Sequence, residues 1–173
     1  LRRQAHSLGH RPRPLIVMTP KSLLRHPLAA ARAGELAEGG FRSVIDDARA
    51  ASRRDAVRRV VLCSGKVWSD VEGDKRRAED DSLALVRVEE LYLFPADELR
   101  RILAGYPNAR DVIWLQEEPR NMGAWTFVEG RLRELLAGGQ RLEYVGRPEL
   151  ASPAEGWSDA HQAEQRRIVN TIL

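Results

Sequence analysis

Short, continuous apolar runs recur along the chain at intervals wide enough to hold a helix between them. They fall at Leu15–Met18, Val57–Cys63, Leu83–Val88, Val112–Leu115 and Leu142–Val145. Apolar residues at successive rather than alternate positions predict strands buried on both faces, as in a parallel sheet covered by helices.

Helical patterns fill the intervals. Leu99, Ile102 and Leu103 form one apolar stripe, with Pro95 suited to the first turn and Gly105 and Pro107 to the stop. Leu132, Leu135 and Leu136 form a second stripe, closed by Gly138-Gly139. A last helix starts near Ser158 or Asp159, either of which suits a cap, and buries Ile168, Val169 and Ile172. Lys66–Asp80 has few apolar residues and is interrupted by Gly73, so it reads as a weak, largely exposed helix. Ala29–Gly40, rich in Ala, Gly and Glu, reads as a mobile surface loop before a short helix near Phe41–Ala50. This alternation predicts the α/β class: a three-layer α/β/α domain with a mostly parallel, five-stranded sheet. One domain over residues 1–173 accounts for it, with 1–13 as a connecting segment.

Composition narrows the function classes. The 173 residues are 43% hydrophobic and 31% charged, which is normal for a globular fold. No apolar run reaches the roughly 20 residues of a membrane span. The net charge is only +3, and bases are interleaved with acids, as in Asp70–Asp81. A nucleic-acid binder would want a basic stripe with stacking aromatics, and neither is present. Cys63 is the single cysteine and lies in an apolar run, so it reads as a small core residue in a reducing compartment. The chain opens on Leu1-Arg2-Arg3 with no initiator Met and no signal-peptide pattern, and is read as part of a longer polypeptide.

In open α/β sheets, ligands collect beyond the carboxyl ends of the strands. Three polar clusters are expected there: Thr19-Pro20-Lys21-Ser22, Ser64-Gly65-Lys66, and Gln116-Glu117-Glu118-Pro119-Arg120-Asn121. Ser64 and Gly65 fit a turn and helix cap, or else an anion site at a helix N-terminus. The Walker pattern and the G-x-G-x-x-G fingerprint are both absent. Glu117 and Glu118 would point to opposite faces of a strand, which favours a surface or inter-subunit ion pair with Arg120 over an acid/base pair. His161 has no partner at a telling spacing and reads as structural; His6, His10 and His26 lack metal-ligand spacing. Trp114, Trp125 and Trp157 read as core or interface residues.

Six segments carry a resemblance: Leu15–Arg25, Cys63–Val67, Ala84–Pro95, Gln116–Trp125 (the most specific), Tyr144–Pro148 and His161–Gln165. Together, in order along the chain, they resemble the C-terminal region of the decarboxylating component of 2-oxoglutarate dehydrogenase. The resemblance implies a fold of the transketolase C-terminal type. It implies a full-length homodimeric enzyme, in a bacterial cytoplasm or the mitochondrial matrix. That enzyme would use thiamine diphosphate and magnesium to decarboxylate 2-oxoglutarate, passing succinyl to the lipoyl arm of a dihydrolipoyl succinyltransferase. Both cofactors and the catalytic residues would belong to upstream domains, so no catalytic, cofactor or metal residue is assigned here. The residues singled out for a regulatory, anion-binding or interface role are Arg3, Ser43, Ser64, Lys66, Gln116, Glu117, Arg120 and Asn121.

Two other readings stay open: a nucleotide-binding regulatory module of the same enzyme, and the equivalent domain of a 2-oxoadipate dehydrogenase or 2-oxoglutarate decarboxylase. Some actinobacterial relatives bind acetyl-CoA on this domain through a largely basic pocket. Its positions align with Arg3, Gly40, Ser43, Glu90, Asp97 and Glu98, of which only Arg3 and Ser43 match in type. Acids facing the coenzyme's phosphates would repel them, so activation through that pocket is not expected.

Overall fold

The computed structural model describes residues 16 and 18–173. Contacts divide the chain into two units, Leu1–Phe41 and Arg42–Leu173. The described part of the first unit holds two 3-10 turns, Lys21–Leu23 and Pro27–Ala29, and a short helix α1, Ala33–Ala37. The stretch expected as a loop therefore contains a helical turn, begun where Arg32 N–H donates to the Glu35 carboxylate at 2.8 Å. Of the expected strand Leu15–Met18, Leu15 and Val17 lie outside the described residues, whereas Ile16 and Met18 are exposed and belong to no strand.

The second unit carries the sheet: β1 Val44–Ile45, β2 Arg59–Cys63, β3 Leu83–Val88, β4 Asp111–Pro119 and β5 Arg141–Arg147, in the spatial order β1-β3-β2-β4-β5. Only the β1–β3 pairing is antiparallel. Arg59 of β2 aligns with Leu83 on one side and Asp111 on the other, and Asp111 aligns with Arg141. The fifth strand is thus Val44–Ile45, inside the segment expected as a helix near Phe41–Ala50. Two residues paired at an edge are too short to leave a periodic signal.

Alternation along the strands sends residues to two cores. Val60, Leu62, Val86, Val112 and Trp114 face helices α3, Ala96–Ala104, and α4, Trp125–Arg133. Val61, Cys63, Leu85, Ile113 and Leu115 face α2, Val67–Glu72, and α5, Ser158–Ile172. The three-layer α/β/α architecture follows from these two apolar faces. Burial pushes the Cys63 thiol pKa up, which makes it an inert core group rather than a nucleophile.

Several element ends differ from expectation. Pro95 is the cap of α3 rather than its first residue, while Gly105 closes that helix as expected. Helix α4 ends at Arg133, and the buried Leu135 lies in the turn that follows. Helix α5 begins at Ser158 without a side-chain cap. Lys66–Asp80 is not largely exposed: Val67 and Val71, four residues apart, are buried in α2. Arg77, in the 3-10 turn Lys75–Ala78, is fully buried against Asp47.

Candidate functional site

The connection leaving β2 carries α2 over one face of the sheet, while the connection leaving its neighbour β4 carries α4 over the other. Such a switch opens a crevice beyond the carboxyl ends of the two strands. The crevice holds about 420 Å³. Its walls include Ser64, Leu91, Tyr92, Glu118, Ala124 and Phe127, with Trp114 and Gln116 behind.

Gln116 organises this end of the sheet. Its side chain is buried, and every polar atom of it is engaged. Oε1 accepts from Trp114 Nε1 at 2.9 Å and from the Trp125 backbone N–H at 3.0 Å. Nε2 donates to the carbonyls of Glu118, Pro119 and Met122 at 3.2, 3.1 and 2.9 Å. One amide thus shapes the turn between β4 and α4. Gly123 completes it, with φ of 63° and no room for a Cβ, which would stand 3.0 Å from Gln116 Nε2. The cluster placed after strand four is partly strand, because β4 runs through to Pro119.

Asn121 ties this turn to the next loop. Its amide donates to Leu150 O at 3.0 Å and accepts from Leu150 N–H at 3.1 Å. Arg120 makes no ion pair with Glu117 or Glu118. Its guanidinium lies 5.8 Å from the Trp125 ring and 5.4 Å from the Tyr144 ring, a cation–π placement. Within the chain, Glu117 turns toward Lys66 instead, so the expected ion pair with Arg120 is not formed there in its surface form.

On the other side of β4, two polar groups pin α5 to the strand ends. Lys66 pairs with Asp70 and, at 3.5 Å, with Glu117, and Gln165 Nε2 donates to Asp70 at 2.7 Å. Burial opposes the charge on Lys66, but Asp70 and Glu117 outweigh it and raise its pKa. Helix α2 starts at Val67 with Lys66, not Ser64, as its N-cap, and no side chain caps it. Arg147, buried at the end of β5, donates to the Glu117 carbonyl and to Glu155 at 2.6 Å, and lies 3.2 Å from His161 Nδ1. Arg120, Arg147, Glu164 and Arg167 border a neighbouring groove of about 570 Å³. The structure thus brings Ser64, Lys66, Gln116, Glu117, Arg120 and Asn121 to one end of the sheet. Ser43 stands at the same end but on the edge beside β3, donating to Glu90 at 2.9 Å, and Arg3 lies outside the described residues. The buried Arg147 was not singled out from sequence; its partners Glu117 and Glu155 lie in other segments.

Arg147 holds the Glu155 carboxyl well below the usual range, at about 2. A depressed folded-state pKa gives stability that is present above the unfolded value and lost as pH falls toward the folded one. The window here runs from about 4.5 down to about 2. Denaturant midpoints measured across it should fall less in Glu155→Gln than in the parent chain. Equal falls would assign the acid sensitivity to other carboxylates.

Chemically, the crevice is mainly apolar, with the hydroxyls of Ser64 and Tyr92 and the Glu118 carboxylate in its lining. Ser64 Oγ and the Glu118 carboxylate make no hydrogen bond or ion pair within the described residues, and Ser64 has no adjacent base. His161 stands beside Glu155 and Arg147, with no nucleophile. Among the described residues no group of three or more His, Cys, Asp or Glu is placed to hold a metal ion. No helix among them is long and apolar enough to cross a membrane.

Residues 30–173 match a family model described as 2-oxoglutarate dehydrogenase C-terminal. Three curated proteins named 2-oxoglutarate dehydrogenase E1 component are similar over the whole chain. The one from Geobacillus sp. (strain WCH70) is 48% identical over 175 residues, that from Exiguobacterium sp. 44% over 176, and that from Shouchella clausii 46% over 176. The chain spans only 18%, 18% and 19% of their respective lengths.

Proposed function

Since the chain belongs to the 2-oxoglutarate dehydrogenase C-terminal family, we propose that it serves as an architectural domain of a longer enzyme that oxidatively decarboxylates 2-oxoglutarate. The similarity across its full length carries this reading. The chemistry of its polar groups supports it. Lys66, Asp70, Glu117, Arg147, Glu155 and His161 engage one another and bind α5 to the sheet, so they act in positioning rather than in proton transfer.

The longer enzyme would use thiamine diphosphate and magnesium. The described residues do not fit that pair, since no carboxylate cluster suited to the metal is formed. Both are therefore assigned to the rest of the polypeptide, and no step of the reaction is routed through this unit. Its partners would be that remaining polypeptide, a second copy, and the succinyltransferase that accepts the product. The site of action would be the bacterial cytoplasm.

The test compares 2-oxoglutarate decarboxylation, with thiamine diphosphate and magnesium present, by the 173-residue chain and by the full-length polypeptide. The chain alone is expected to be inert and the full-length protein active. Turnover by the chain alone would overturn the architectural role, and an inert full-length protein would overturn the substrate assignment. Acetyl-CoA is not expected to activate the full-length enzyme through the aligned pocket, where Glu90, Asp97 and Glu98 stand in place of polar or basic residues. Activation that disappears in Arg3→Ala would contradict this.

A further inference from the structure

The groove beside β5 is lined by arginines from separate elements, and one of them has all its donors free. Arg120 is exposed at the turn between β4 and α4, and its guanidinium forms no hydrogen bond or ion pair among the described residues. The Trp125 and Tyr144 rings hold it, 5.8 and 5.4 Å away, without using its N–H groups. Arg167, on α5, borders the same groove. It reaches Glu164 and the Gly146 carbonyl through Nε and Nη2, which leaves Nη1 unengaged among the described residues. Burial raises the pKa of the Tyr144 hydroxyl and Glu118 adds to the rise, while Arg120 and Arg167 both oppose it, so both positive charges reach one oxygen. The acids of the lining are already matched. Glu155 pairs with Arg147 at 2.6 Å and Glu164 with Arg167 at 2.8 Å. Glu118 lines the crevice rather than the groove and forms no ion pair with Arg120. Three arginines thus face two glutamates in the groove, and the excess positive charge sits at Arg120.

We propose that this groove binds a phosphate monoester, with the phosphate between Arg120 and Arg167 and the ester group against Tyr144, Pro148 and Leu150. Guanidinium forks match oxoanions and make short, charge-assisted hydrogen bonds to them. A tetrahedral phosphate suits the groove better than a planar carboxylate, because its oxygens can meet two forks that arrive from different elements. A guanidinium already held on aromatic faces loses less freedom when the anion arrives. The space of about 570 Å³ lies within the range of small-ligand sites, about 300–1,000 Å³. None of the positions aligned with the acetyl-CoA pocket borders this groove. The proposal does not depend on the decarboxylation reading.

The experiment uses the full-length polypeptide, saturated with thiamine diphosphate and magnesium so that phosphate has no vacant cofactor site to enter. Phenylglyoxal modification of Arg120, Arg167 and the control Arg133, exposed on α4 outside the groove, is followed by peptide mass spectrometry. Phenyl phosphate is the probe. Modification at 120 and 167 is expected to slow along one saturation curve, by about tenfold at ten times the half-protecting concentration, with no change at 133. Inorganic phosphate should protect the same two residues but need a higher concentration. Equal half-protecting concentrations would overturn the monoester assignment, since the ester group would then add nothing. No protection, or protection matched by sodium chloride at equal ionic strength, would overturn the proposal as mere screening. Arginines that resist modification before any phosphate is added would assign the groove to a protein contact and overturn it equally. In Arg120→Gln, whose thermal midpoint should stay close to that of the parent, protection at Arg167 should disappear, and in Arg120→Lys it should return in part. Full protection of Arg167 in Arg120→Gln would overturn the shared site.

Discussion

Asp47→Ala is expected to destabilise the sheet-bearing unit by about 3–5 kcal/mol, the range for removing one partner of a buried ion pair. Arg77 is fully buried, and its guanidinium meets the Asp47 carboxylate, with Glu72 3.6 Å from Nε. Asp47 does more than neutralise it. The same carboxylate accepts from the Leu85 backbone N–H at 2.8 Å, in β3, and from Arg49 N–H at 2.8 Å. Alanine would leave the buried Arg77 with only the longer Glu72 pair and would unpair the buried Leu85 N–H. Asp47→Asn keeps an acceptor for the amides and should lose less. Replacing the pair together, Asp47→Leu with Arg77→Met, should recover much of the deficit, because well-packed apolar residues often match a buried pair. Urea unfolding of the four proteins checks the order. A loss under 1 kcal/mol in Asp47→Ala would mean that water reaches Arg77.

Gln116→Leu should cost a similar amount, about 3–4 kcal/mol, through a neutral group. The five hydrogen bonds of this amide connect β4, the turn and the start of α4, and leucine satisfies none of them. A buried group left without a partner costs about 1–3 kcal/mol, and losses within one network do not simply add. The distinguishing sign is local. Hydrogen exchange should speed up at Met122–Trp125 well before global unfolding, whereas a mere packing defect would leave these amides protected. Gln116→Glu keeps one acceptor but turns a buried carboxylate oxygen toward the Glu118, Pro119 and Met122 carbonyls, so it should lose at least as much as leucine.

Strands β2, β3 and β4 were legible in the sequence because each is buried on both faces and so is dominated by consecutive apolar residues, and β5, a half-exposed edge strand, was legible from Leu142, Tyr144 and Val145 alone. β1 was not, since a two-residue edge pairing is decided by its partner β3 rather than by its own pattern. Helix α2 did carry a signal, Val67 and Val71 four apart, but it was masked by the charged stretch that follows. The grouping of Ser64, Lys66 and Gln116–Asn121 at one end of the sheet was readable from their places after apolar runs. Their partners were not. Lys66 meets a residue 51 positions away, and Arg77 one 30 positions away. Local pattern carries no information about contacts at that separation. Nor did composition distinguish the buried Arg77 and Arg147 from the many arginines at the surface.

Helix α5 follows all five strands in the chain yet supplies Ile168, Val169 and Ile172 to the core beneath Val61, Ile113 and Leu115. The Ile172 carbonyl also receives the Arg59 guanidinium at 3.0 Å. During synthesis this face of the sheet is therefore covered only in part, by α2, until α5 has left the ribosome. During that interval the nascent chain offers a sticky plane of Val, Ile and Leu, a substrate for chaperones. A polypeptide cut before Ile168 would lose those contacts and leave that plane open.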